Sequence, residues 1–218
     1  MVKLPKSFWL IAPFATWMAL MTVLPATAGS YAVRTAVVAA LLVAAGWWGK
    51  GPETLDVRRE PGLPSKVSSP LSSLVFRLKS SLLPGLVVGL AVFAIWILPE
   101  QFDWAWYRKW CIIGEGGTQA VAEASTWMIV CRLIGSAFVI SVAEELFFRK
   151  WLIGFAGFWW TVGLFAVEHD RWLVAAICGI AYGWIYLRRG LGAAIVAHAT
   201  TNLVLGLWVL KTGQWQFW

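Results

Sequence analysis

Residues 126–153 read TWMIVCRLIGSAFVISVAEELFFRKWLI. The run is apolar along most of its length, interrupted by Arg132, by the cluster Glu144-Glu145-Leu-Phe-Phe-Arg149 and by Lys150. A hydrocarbon core roughly 30 Å thick is crossed by about 20 apolar helical residues. A charged side chain inside it costs several kcal/mol unless it is paired or faces a polar cavity. So long a stretch is read as a membrane span, and the charges near its middle as functional candidates.

Six more apolar segments flank this one, at about 8–28, 31–49, 81–99, 157–170, 172–187 and 190–210. Of the 218 residues, 60% are apolar and only 13% charged, far too little polar surface for a soluble domain of this size. The 17 Trp suit a protein with two water–lipid interfaces. A bilayer admits only helices and closed barrels, and alternating strand patterns are absent. The expected fold is therefore all-α: a polytopic transmembrane bundle of about seven helices, with the intramembrane polar residues, and so the expected core of any site, in the last four. The run from Phe8 to Ala28 is long enough to span, so no cleavable signal is expected.

The net charge of +7 does not indicate a nucleic-acid partner, because the basic residues fall in short segments between apolar runs. With the N-terminus inside, twelve Lys and Arg lie on the cytoplasmic side, including Lys3, Lys6, Arg58, Arg59, Lys150, Arg188 and Arg189. Five lie outside: Arg34, Arg108, Lys109, Arg171 and Lys211. That bias predicts a cytoplasmic N-terminus. Residues 51–73, rich in Pro, Ser and charge, read as a linker. Leu71, Leu74, Val75, Leu78 and Leu82 then repeat at the spacing of an interfacial helix. The division expected is 1–80, a membrane hairpin with linker and interfacial helix, and 81–218, the embedded core. Cys111, Cys131 and Cys178 are odd in number and read as buried apolar residues rather than a disulfide framework.

Two further polar clusters sit in apolar segments: Phe165-Ala-Val-Glu-His169 and His198-Ala-Thr-Thr-Asn202. Glu145 and Arg149 share a helix face and can pair, whereas Glu144 points about 100° away. His198 and Asn202 project together, and Phe165 is placed one turn before His169 to pack on its ring. Counted from the expected cytoplasmic helix ends at 1.5 Å per residue, Glu144, His169, His198 and Asn202 rise roughly 12–18 Å. They can therefore converge, provided the fifth span is short. A carboxylate and an imidazole in such a site can hold and deprotonate a water. A second His and an Asn can offer N–H donors to an oxyanion. Ser136 and Ser141 have no evident base partner, which disfavours a serine hydrolase. Glu168, Asp170 and Arg171 are expected at the outer end of the fifth span or in the following turn, solvated or mutually paired, and Arg132 within the bundle.

These three motifs, in this order on successive apolar segments, resemble the CPBP family of CAAX-protease and bacteriocin-processing intramembrane glutamate proteases. The likeness covers roughly residues 125–210. With its Trp-rich ending from Gly213, the chain further resembles an exosortase-associated bacterial subgroup, the CAAX prenyl protease-related proteins. The resemblance implies that Glu144 and His169 activate water, that His198 and Asn202 stabilise the oxyanion, and that Glu145, Arg149 and Phe165 hold and tune the site. No cofactor or metal is implied. A zinc set of Glu144, His169 and His198 is the alternative within the enzyme class. A non-catalytic scaffold or bacteriocin-immunity-type protein is the alternative outside it, and a transporter is disfavoured by the lack of inverted repeats. Expected partners are the lipid bilayer and a peptide or protein substrate of lipidated or exosortase-related type. The expected location is the bacterial inner membrane. Only twenty residues separate Arg149 from His169, shorter than the commoner pattern, so the cavity entrance is expected to differ.

Overall fold

In the computed structural model, residues 5–25, 27–48, 81–113 and 125–217 are described. Every apolar segment forms a helix: α1 Lys6–Val23, α2 Ala28–Trp48, α3 Leu83–Gln101, α5 Thr126–Ala156, α6 Phe158–Val167, α7 Trp172–Arg189 and α8 Leu191–Thr212. A short helix that the sequence pattern did not signal, α4 Ala105–Cys111, follows α3. No strand occurs among the described residues. The linker at 51–73 and nearly all of the interfacial helix expected after it lie outside the described residues.

Five helices, α1, α2, α3, α5 and α8, are long and apolar enough to cross a membrane. Large apolar side chains stay exposed on the outer surface of the bundle, Trp159, Trp160, Val167 and Leu187 among them. On a soluble protein so much exposed apolar surface would be a liability; here it is the surface that meets lipid. The chain is a multi-pass membrane protein.

Two connections are as tight as a chain can make them. Gly157 joins α5 to α6 and Gly190 joins α7 to α8, with φ of 89° and 83° and ψ of 168° and 178°. That region of backbone space is essentially open to glycine alone. Each glycine reverses the chain in a single residue, so α6 lies back against α5, and α8 against α7.

α3 and α8 pack backbone against backbone. Gly85 and Gly89 present one face of α3, and a Cβ at Gly89 would meet the Ala197 carbonyl oxygen at 2.5 Å and Thr200 Cβ at 2.7 Å. Opposite them, Ala193 and Ala197 are completely buried. Small residues let two backbones approach where lipid supplies no hydrophobic drive between helices. Thr201 then donates its hydroxyl to the Gly89 carbonyl at 2.9 Å, which the close approach allows.

α5 departs from α-helical winding in two places, Gly135–Ile140 and Glu145–Leu152, where the turns are π-helical. Such wide turns recur at functional sites because they displace carbonyls and side chains from the regular ladder. The N-terminal hairpin packs directly on α5. Phe14 of α1 stacks on Phe147 at 4.5 Å and meets Phe148 edge-on at 5.1 Å, while Val38 of α2 shares a buried cluster with Ile140 and Ala143.

α6 has only 10 residues, about 15 Å of helix, so 168–171 form the turn that follows it, where Asp170 is exposed, Glu168 and His169 are half-buried and Arg171 is buried. Arg171 is buried and donates from Nε to Glu100 Oε1 at 2.5 Å, with its guanidinium over the Phe217 ring. It pairs across helices with an acid 71 positions away, not with Glu168 or Asp170 beside it. A buried cation needs an acid whose position is fixed, and the end of α3 supplies one.

Candidate active site

The short α6 and the two glycine turns bring the three polar clusters to one cavity of about 550 Å³. Glu144, His169, His198 and Asn202 all line it. Glu145 and Arg149 do not; they stand behind its wall, with 0% and 1% exposure.

A chain of charges runs across that wall. Arg149 Nε lies 3.3 Å from Glu145 Oε2, the pairing expected from the i, i+4 spacing. The other oxygen of Glu145 accepts from His198 Nδ1 at 2.9 Å. His198 Nε2 in turn faces Glu144 Oε2 at 3.7 Å, an ion-pair distance too long for a direct hydrogen bond. Glu145 is thus shared between Arg149 and His198. Because a carboxylate only accepts, the His198 Nδ1 carries a proton, and the ring's other nitrogen is aimed at Glu144.

Aromatic rings fix this array. The Arg149 guanidinium lies over Phe165 at 4.6 Å and near Phe148 and Tyr182, each at 5.7 Å. Tyr182 stacks on His198 at 4.8 Å and 18°. Its hydroxyl donates to Thr201 Oγ1 at 2.7 Å, so the stacking ring is itself anchored. Phe165 lies 4.6 Å from the His169 ring, as its spacing predicted, and 6.0 Å from that of His198. It is the wedge between the two imidazoles, a role that spacing along α6 alone does not reveal.

His169 follows the last turn of α6. Its Nδ1 is 2.8 Å from the Phe165 carbonyl oxygen. A carbonyl accepts only, so Nδ1 holds the proton and Nε2 keeps its lone pair for a ligand in the cavity. The Trp96 ring stands edge-on to it at 5.8 Å.

Asn202 reaches α5. Its Nδ2 donates to the Ser136 carbonyl at 3.0 Å and to Ser141 Oγ at 3.1 Å, and Ser141 Oγ donates to the same carbonyl at 3.0 Å. The Ser136 carbonyl belongs to the first π-helical stretch, and side chains from two helices converge on it. On sequence alone the two serines suggest only nucleophiles. They serve as the dock for Asn202, and the signal that would have shown it, the π winding, has no signature in residue type.

Other groups that line the cavity carry little or no signal in the sequence. Glu168 lines the cavity with a buried Oε2 that has no hydrogen-bond partner. From α1, α2 and α3 come Trp17, Tyr31, Arg34 and Trp96. Among the described residues, no three His, Cys, Asp or Glu side chains are grouped so as to hold a metal ion. Glu144, His169 and His198 share the cavity, and Phe165 touches both imidazole rings.

Residues 125–204 match the family described as type II CAAX prenyl endopeptidase Rce1-like. The matched stretch covers α5 to α7 and most of α8, and leaves α1 to α4 outside it. Comparison with curated proteins found no match, and none was found among solved structures. The three polar motifs lie within the matched residues, on helices that bring them to one cavity, so the likeness to the Rce1-like family covers the site itself.

Proposed function

We propose that the chain is an intramembrane endopeptidase that hydrolyses a peptide bond of a membrane-associated or lipidated substrate with a water activated by Glu144 and His169. The observation that carries this reading is the convergence of Glu144, His169, His198 and Asn202 on one cavity within a membrane bundle. Glu144 takes a proton from the water as its oxygen attacks the scissile carbonyl carbon. The His169 Nε2 lone pair orients that water by accepting its second hydrogen. The carbonyl π electrons move to oxygen, and the oxyanion is stabilised by an N–H donated from His198 Nε2, which requires the ring to carry a proton on both nitrogens. Collapse of the intermediate breaks the C–N bond, and the proton held by Glu144 passes to the leaving amine. Asn202 joins the oxyanion donors if substrate displaces one of its two bonds to α5, which a carbonyl oxygen in place of the Ser141 hydroxyl would do. Glu145 and Arg149 hold His198 in register and do not touch substrate.

The chemistry requires no metal, and zinc is the alternative that metal content measured in the purified protein would reveal. The further parts of the reading are a bacterial inner-membrane location, a cytoplasmic N-terminus and an exosortase-linked substrate. The last rests on the resemblance of the whole chain, with its Trp-rich ending, to the exosortase-associated subgroup.

The test compares peptide termini in membranes from cells carrying the wild-type chain or Glu144→Gln at matched abundance. New termini with the wild type only are expected. A general base contributes about 10²–10⁴ in rate, so Glu144→Gln and His169→Ala each lower turnover of an identified substrate by that order while the protein accumulates normally. Identical profiles would leave a binding or immunity-type role as the better account.

A further inference from the structure

The cavity is not uniform along its length. From Glu144 it extends toward the end of the bundle that holds the α1–α2 turn, where Met21, Thr27, Tyr31 and Gln216 line it. Two guanidinium groups are placed there. Arg34 stands 5.9 Å and Arg132 5.1 Å from the Tyr31 ring centroid, so the same ring backs both.

Arg34 is only 7% exposed. It packs over Trp17 at 5.3 Å, and its buried Nε has no hydrogen-bond partner. No acid among the described residues forms an ion pair with it, although Arg171, further along the same cavity, has Glu100. A buried cation without an anion is costly, and a guanidinium fork matches a carboxylate in geometry. Its position in the lining makes the missing partner a group brought in by a ligand.

We propose that Arg34, flanked by Arg132, is a carboxylate-binding subsite that anchors the substrate peptide and sets where it is cut. The proposal rests on the peptidase reading of the cavity for its last clause only. Arg132 and Glu144 are twelve residues apart on α5, about 18 Å at helical rise. An extended peptide covers that in roughly five residues, so the scissile bond falls about five residues from the anchored carboxylate. The carboxylate has two sources, the C-terminus of the substrate or an Asp or Glu side chain, and one experiment separates them.

The chain carrying Glu144→Gln, in nanodiscs of zwitterionic lipid, is titrated against three fluorescein-labelled Ala/Leu decapeptides by anisotropy. One ends in a free carboxylate, one in an amide, and one in an amidated Glu. The free acid is expected to bind about tenfold tighter than the amide, the usual strength of a charge-assisted pair. The amidated-Glu peptide matching the free acid means that any carboxylate at that position is read; its matching the amide means that the C-terminus is read. Adding Arg34→Gln or Arg34→Met should bring the peptides within about twofold of one another, and Arg34→Lys should keep part of the preference.

Equal binding of acid and amide to the chain that retains Arg34 overturns the proposal without recourse to any Arg34 variant. So does a preference that survives in folded Arg34→Gln. If the preference is absent and phosphatidylglycerol co-purifies with Arg34 but not with Gln at that position, the subsite holds a lipid headgroup and the peptide reading falls. A carboxylate preference without cleavage by the wild type would keep the subsite and remove the peptidase. Cleavage without the preference would do the reverse.

Discussion

At the scale of single residues, Glu145 links structure to chemistry. It is fully buried, and both of its oxygens are engaged, one toward Arg149 and one toward His198. Removing the cation leaves that carboxylate facing only a histidine. Breaking a buried pair costs about 3–5 kcal/mol, so Arg149→Ala should lower the melting temperature in detergent and the folded yield. Arg149→Met with Glu145→Gln should cost less, because no charge is then stranded, yet turnover should still fall because His198 then rests on a neutral amide oxygen instead of a carboxylate. Equal melting temperatures for Arg149→Ala and the parent would show that the pair does not support the fold. The Glu145–Arg149 half of this array is legible from four-residue spacing. The His198 half is not, because it joins residues 53 apart on different helices. Spacing therefore left Glu144 without a partner and did not show that Glu145 has two.

At the scale of elements, the helices were legible because lipid imposes one rule on every span, a long apolar run. The departures from regularity were not. The π turns of α5 place the Ser136 carbonyl where Ser141 and Asn202 converge on it, and no composition cue marks them. The Gly85/Gly89 face is a small-residue pattern in plain sight, but only the position of α8 gives it meaning. Gly89→Ala should be destabilising by about 1–3 kcal/mol, since the atoms that its Cβ would meet at 2.5 and 2.7 Å belong to the α8 backbone and Thr200. Separation of the helices would also lengthen the Thr201–Gly89 hydrogen bond, which connects through Tyr182 to the His198 stack. Activity should therefore fall along with thermal stability. Gly163→Ala is the control: nothing lies within 4 Å of that position on the exposed face of α6, and the change should be neutral or stabilising by up to about 1 kcal/mol. Similar melting temperatures for the two variants would deny the α3–α8 contact its importance.

At the scale of the molecule, the two ends of the bundle are unlike. Lys6, Lys150, Arg188 and Arg189 belong to the end where α1 begins and where α5 and α7 finish. The cavity extends toward the opposite end, past Met21, Thr27 and Gln216. If cationic termini stay in the cytoplasm, the mouth faces outward, and a substrate reaches Glu144 from the non-cytoplasmic side or laterally from the outer leaflet. Cysteine accessibility tests this on whole cells. Cys111 and Cys178 are buried, so the background needs only Cys131→Ser. In it, Gln216→Cys should react with a membrane-impermeant maleimide in intact cells, while Arg189→Cys should react only after permeabilisation. The reverse pattern would place the N-terminus outside and the mouth in the cytoplasm. Such an inversion would leave the geometry of Glu144, His169 and His198 untouched, so loss of the outward mouth would not count against the peptidase. It would change which proteins can be substrates, since only chains with a carboxylate on the cytoplasmic side could then reach Arg34.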